Sequence, residues 1–227
     1  DTMKRWTARL LAAGLALTLA ACGSTPATGG TSQTAPATAS LSEGLPSGDR
    51  ILIAYFSVPE TDGVDAVSGA SRVVVDGTVL GNNQYLSHLL QAETGGDLFP
   101  IETVQTYPGS HDALLDFAYQ ERSDGARPAL ATQLENLDQY DVIFLGYPNW
   151  NSDLPMTLYT FLETYDFSGK TILPFTAHGG SSFSRTVQTI ADLQPGATVV
   201  EDGLAISRND VPQAPEAVSQ WVAGLTP

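Results

Sequence analysis

Cysteine is almost absent from this chain: Cys22 is the only one in 227 residues. No intramolecular disulfide can form, and no cluster that needs several thiolates can be held. Positive charge is scarce as well. Ten Lys and Arg stand against 25 Asp and Glu, a formal net charge of -15, so the molecule as a whole repels nucleic acid and anionic headgroups. Its macromolecular partners are expected to be basic or neutral. The apolar run over residues 10–19 is too short for an ordinary transmembrane helix. Length itself excludes a large multidomain enzyme, since a domain takes roughly 100 to 200 residues. What is present is a hydrophobic fraction of 42%, enough to bury one sizeable core and to exclude wholesale disorder.

That apolar run follows Lys4, Arg5 and Arg9, which together give the charged and hydrophobic regions of a signal peptide over residues 1–21. It ends in Leu19-Ala20-Ala21-Cys22, which resembles a bacterial lipobox. The resemblance implies a diacylglycerol on the Cys22 thiol and a lipid-anchored, extracytoplasmic protein. Residues 22–49 are rich in Ser, Thr, Ala, Pro and Gly, the composition of a flexible tether. An acylated Cys22 leaves no thiol for catalysis, so any redox chemistry must come from a bound cofactor.

From residue 50 to residue 227 short β-branched or aromatic runs alternate with segments of helical period. Strands are expected over 51–56, 97–101, 142–146, 171–175 and 198–200. Helices are expected over 84–94, 111–122, 155–163, 185–193 and 214–223. Near-continuous apolar runs such as 51–56 fit strands covered on both faces, so the pattern predicts a three-layer α/β/α sandwich with a doubly wound five-stranded parallel sheet. One connection is unusually long. Residues 58–80 form an insertion in which the run 73–80 reads as a hairpin turning at Asp76-Gly77.

In an open parallel sheet, ligands bind beyond the carboxyl ends of the strands, which directs attention to three loops. The first contains Ser57 and, past the insertion, Gly81-Asn82-Asn83-Gln84 at a helix start, where amides can cradle an anion or Asn83 can act as an ordinary N-cap. The second, Tyr147-Pro148-Asn149-Trp150-Asn151, offers aromatics as a wall for a planar ring, or a hydrophobic loop tucked into the core. The third, His178-Gly179-Gly180, combines free amides with one imidazole. His88, His111 and His178 are scattered, so no metal site is expected. The chain shows no Gly-x-Ser-x-Gly elbow, no Walker motif, and no Gly-x-Gly-x-x-Gly after its first strand.

Taken together, residues 51–57, 142–148 and His178-Gly179-Gly180 resemble the flavodoxin-like family, particularly its extracytoplasmic bacterial members. The resemblance covers essentially all of residues 50–225. It implies strand order 2-1-3-4-5 and an FMN cofactor, its phosphate at Ser57 and Gly81 to Gln84 and its ring between the Trp150 and His178 loops. Two departures stand out. Gly81-Asn82-Asn83 replaces a common Gly-Asn-Thr, and Trp150-Asn151-Ser152 replaces a frequent Trp-Trp-Gly.

The function implied is electron transfer at the outer face of the cytoplasmic membrane, with a redox partner protein or a small quinone-like acceptor. Two alternatives are an FMN-dependent NAD(P)H or quinone reductase, with His178 donating a proton or hydrogen bond, and a binding module that has lost FMN. Within the insertion, Asp65-Ala66-Val67-Ser68-Gly69-Ala70-Ser71 resembles the signal of extracytoplasmic proteins that receive covalent FMN. That resemblance makes Ser71 the candidate acceptor hydroxyl.

Overall fold

The computed structural model describes residues 44–61 and 71–225. The leader, Cys22, the tether as far as residue 43, and residues 62–70, which hold most of the acceptor-like motif, lie outside the described residues. The strands are β1 (Ile51–Tyr55), β2 (Arg72–Val75), β3 (Thr78–Gly81), β4 (Asp97–Pro100), β5 (Val142–Pro148), β6 (Thr171–His178), β7 (Thr198–Val199) and β8 (Leu204–Ser207). The helices are α1 (Asn82–Thr94), α2 (His111–Asp124), α3 (Met156–Thr164), α4 (Thr186–Leu193) and α5 (Ala214–Gly224).

The main sheet runs β4-β1-β5-β6-β7 with every pairing parallel, and β8 also pairs with β6. With the hairpin set aside, this is the expected order 2-1-3-4-5. β1 is buried along its whole length because both faces are covered. Ile51, Ile53 and Tyr55 pack in one core with Leu86 and Leu90 of α1 and Val218 and Val222 of α5. Leu52, Ala54 and Phe56 pack in the other with Leu114 of α2, Leu158 and Phe161 of α3, and Ile190 of α4. Alternate side chains of one strand thus serve two cores, each fully buried Leu, Ile or Phe contributing about 1.5–3 kcal/mol.

The edge of the sheet differs from the sequence reading. A single strand was expected over 198–200, but that position is shared by β7, which pairs with Thr171 and Ile172, and β8, which pairs with residues 175–178. The break falls at Leu173 and Pro174. Proline has no N–H to offer a neighbouring strand, so the edge strand leaves the ladder and rejoins beyond it. β8 was not anticipated, and it carries the chain back to the ligand end of the sheet.

The insertion forms the expected hairpin. β2 and β3 pair antiparallel, and Asp76 and Gly77 turn with φ of 49° and 77°. Both values lie in the left-handed region that a primed two-residue turn requires.

Candidate functional site

β5 and β6 end side by side, with Pro148 in register with Ala177. The loops that follow face each other across a cleft of about 490 Å³, lined by residues 148–152 and 177–181, by His111, Leu114 and Leu115 of α2, and by Ser71 and Arg208. That volume is within the range of small-ligand and cofactor sites.

The first wall is a tight turn. Trp150 and Asp153 exchange backbone hydrogen bonds of 3.1 and 3.0 Å, and Asn151 and Ser152 between them have φ of 54° and 62°. These are the two positions where the resemblance marks a departure. Asparagine visits the left-handed region at little cost, whereas serine stores strain there. The turn is held by α2 and α3. Arg122 donates from Nη1 to the Asn151 carbonyl at 2.6 Å and pairs through Nε with the Asp153 carboxylate at 3.4 Å, while the Tyr159 hydroxyl donates to Asp153 Oδ1 at 3.1 Å.

Trp150 is only 6% exposed. Its ring meets Phe56 edge-on at 5.5 Å and lies tilted against Tyr107, also at 5.5 Å. The indole is therefore core and cleft wall at once, and its position is set by the packing beneath it. Below lies a buried polar group in which the Tyr107 hydroxyl donates to Glu121 Oε2 at 3.0 Å and lies 2.9 Å from Thr157 Oγ1. Burial raises the Glu121 pKa above the ordinary carboxylate value, and hydrogen bonds from Gln105 and Tyr107 act against that rise.

The second wall is the loop after β6. His178 Nδ1 accepts a hydrogen bond from the Gly180 N–H at 3.0 Å, which assigns the imidazole proton to Nε2. Burial lowers the His178 pKa, and the charge of Asp210 works in the opposite sense. The neutral ring, with one N–H to donate, is thus the favoured form at neutral pH. Asn149 ties the two walls together by donating from Nδ2 to the Ser182 carbonyl at 2.6 Å and to Ser184 Oγ at 3.1 Å. Ser182 and Ser184 also have positive φ, 50° and 51°. Asn149 Oδ1 is buried and accepts nothing from the described residues. A buried amide oxygen left open at a cleft is a ready acceptor for a ligand N–H.

Pro148, Trp150, Asn151, His178, Gly179 and Gly180, expected as one site, do come together with Ser71. Ser57 and Gly81 to Gln84 do not line the cleft. The Gly81 N–H is taken by Gln84 Oε1 at 3.1 Å, and the Asn82 N–H by the Ser71 carbonyl at 3.0 Å. Asn83 Oδ1 accepts the Ala177 N–H at 3.0 Å, pinning the first turn of α1 to the end of β6. The hairpin of the insertion delivers Ser71 to the start of α1, so that the Gly81 and Asn82 amides of the expected cradle are engaged within the protein. Tyr147 is fully buried with its hydroxyl 2.8 Å from Thr186 Oγ1, so it anchors the strand end and supplies no second ring contact.

Arg208 and Asn149 were not singled out by the sequence reading. Arg208 depends on β8, which that reading lacks. Asn149 lies within a segment that was read for its aromatics. Among the described residues no group of three or more His, Cys, Asp or Glu converges as a metal site, and no helix is long and apolar enough to cross a membrane.

Comparisons with known proteins agree with this architecture. No curated protein matches the chain. Among solved structures, it is similar to two Bacteroides proteins provisionally described as flavoproteins, from Bacteroides eggerthii DSM 20697 and Bacteroides uniformis ATCC 8492. Each is 28% identical with a TM-score of 0.58, and 78% of this chain covers 97% and 99% of theirs. A flavoprotein in complex with FMN from Lactobacillus acidophilus NCFM is 16% identical over 73% of this chain and 97% of its own, with a TM-score of 0.50, a likeness of fold alone. The family model described as Flavodoxin matches residues 79–225, more than half the chain, and together with the parallel sheet of order 2-1-3-4-5 it establishes that the chain belongs to the flavodoxin family.

Proposed function

We propose that this protein binds FMN in the cleft between the Trp150 and His178 loops and passes electrons outside the cytoplasmic membrane, tethered through Cys22. The observation that carries the reading is the pairing of an aromatic wall with a glycine loop at the carboxyl ends of β5 and β6. The residues present fit the cofactor. Trp150 offers an apolar face, Asn149 Oδ1 an open acceptor, and His178 Nε2–H a donor. Gly179 and Gly180 put no side chain into the cleft, although the Gly180 N–H is already engaged by His178 Nδ1.

Bound FMN would supply reversible one- and two-electron redox chemistry. The chain's own part is to bind, orient and exclude water. Trp150 and Leu114 keep solvent from one side of the cleft, while His178 holds a proton at Nε2 toward any carbonyl or anion placed there. The net charge of -15 would steer basic redox partners toward the molecule, which favours a carrier. The His178 donor favours the alternative of a quinone or NAD(P)H reductase, since it can assist proton delivery to a substrate. Titration of flavin-free protein with FMN, followed by flavin fluorescence and absorbance, is expected to show saturable one-to-one uptake. Absence of uptake would overturn the proposal.

A covalent link through Ser71 is a second reading with its own observation. Ser71 lines the cleft, and its hydroxyl accepts the Glu60 N–H at 3.0 Å, so the acceptor candidate stands at the ligand site. The bond formed would be a phosphodiester between Ser71 Oγ and the FMN phosphate. The hydroxyl, giving its proton to a base of the transferase, would displace a nucleoside monophosphate from a flavin dinucleotide as its P–O–P bond breaks. The tether would raise the cofactor's effective concentration where lost FMN is not readily replaced. Protein coexpressed with an exported flavin transferase is expected to keep its fluorescence in a denaturing gel, and Ser71→Ala to lose it. Release of all flavin from the wild type on denaturation would leave only noncovalent binding.

A further inference from the structure

We propose that Arg208 is the anion anchor of the cleft, holding a phosphate, carboxylate or sulfonate group; the proposal rests on the reading of the cleft as a flavin site. Its first support is the distribution of charge. The chain has 25 acidic residues against 10 Lys and Arg, yet the lining includes no Asp or Glu, and Arg208 gives it a formal positive charge beside the neutral ring of His178. The formal charge of the lining is thus opposite in sign to that of the molecule. Asp210, whose charge reaches His178, stands outside the lining.

Position is the second support. β8 pairs with β6 so that Ser207 stands in register with His178, and the Arg208 N–H donates to the His178 carbonyl at 2.8 Å. The guanidinium then lies against the glycine loop: its Cζ and Nη1 are 3.8 Å from where a Cβ on Gly179 would stand. Glycine at 179 leaves the space in front of the guanidinium open.

The third support is what Arg208 does not touch. Arg50, Arg122 and Arg127 pair with Asp141, Asp153 and Glu163. His111, the other cationic candidate of the lining, faces the Glu60 carboxylate at 3.1 Å. Among the described residues no carboxylate pairs with Arg208. Arg208 as a residue is half-buried, and a guanidinium with no carboxylate partner beside a cleft is free to pair with an incoming anion. Its planar fork fits the two oxygens of a carboxylate or phosphate.

Two sources could supply the anion, the flavin phosphate or an anionic co-substrate, and the test separates them. Dissociation constants are measured for wild type, Arg208→Gln and Arg208→Lys with FMN against riboflavin, and with naphthoquinone-2-sulfonate against neutral naphthoquinone. The quinone titrations use tryptophan emission, in flavin-loaded and flavin-free protein. If the phosphate is the ligand, Arg208→Gln should lose about tenfold in FMN affinity and little for riboflavin, with Arg208→Lys between. If a co-substrate is the ligand, flavin affinities stay level and a tenfold preference for the sulfonate disappears in Arg208→Gln. Equal constants for wild type and Arg208→Gln in both arms overturn the proposal. Wild-type protein that takes up neither flavin overturns the flavin reading instead, and the sulfonate arm on that flavin-free protein still decides the role of Arg208.

Discussion

Trp150→Ala is expected to remove about 3–5 kcal/mol of stability, near the upper end for a single core truncation. The indole is 6% exposed and packs on Phe56 and Tyr107, and α2 and α3 hold its turn through Arg122 and Tyr159, so the surroundings cannot easily collapse into the space left. Urea unfolding measures the loss, and an unchanged midpoint would contradict the packing described. Because such a variant can fail for reasons of stability alone, Trp150→Leu separates the two roles of the side chain. Leucine keeps apolar volume and removes the aromatic face. Losing a stacking contribution of about 1 kcal/mol should weaken FMN binding severalfold and relieve quenching of flavin fluorescence. Unchanged affinity and emission in Trp150→Leu would assign Trp150 to packing only.

A second large effect is expected at Gly146 in the middle of the sheet. A Cβ there would stand 2.2 Å from Cζ and 2.4 Å from Cε2 of Phe175, its partner in register on β6. Phe175 is fully buried, so its ring has nowhere to retreat without moving the neighbouring core. Gly146→Ala should therefore cost about 2–3 kcal/mol although it adds a single methyl group. Combining it with Phe175→Leu tests the cause. If the two side chains compete for one space, the double variant will be more stable than the sum of the single losses predicts, by about 0.5–3 kcal/mol. Strict additivity would show that the glycine is needed for another reason.

The three-layer sandwich was legible because its signals are local and redundant. Continuous apolar runs such as Ile51 to Phe56 mark strands covered on both faces, and the Asp76-Gly77 pair marks a turn whatever surrounds it. Less of the site could be read. His178, Trp150 and the two glycines after His178 stand at strand ends, where the rule for parallel sheets points. Gly81 to Gln84 looked equally suitable, because exposed helix amides and engaged ones are spelled alike. The Gly81 bond to Gln84 is a local capping contact, whereas the Asn82 bond to Ser71 depends on where the hairpin docks, which no pattern within those four residues records.

From its own chemistry the sequence determined the alternation of strands and helices as far as the sheet edge, the acidity of the molecule, its single cysteine and the aromatic and glycine character of the site loops. Those properties belong to residues singly or to short periods of the chain. Only the tertiary structure decided that Tyr147 belongs to the core and Trp150 to both core and cleft, that Asn149 spans the two walls, and that Arg208 meets Gly179 across a strand pairing absent from the sequence reading. Each of these is a contact between segments far apart in the chain. Its energy depends on register and on what else fills the same volume, and neither quantity is carried by local composition.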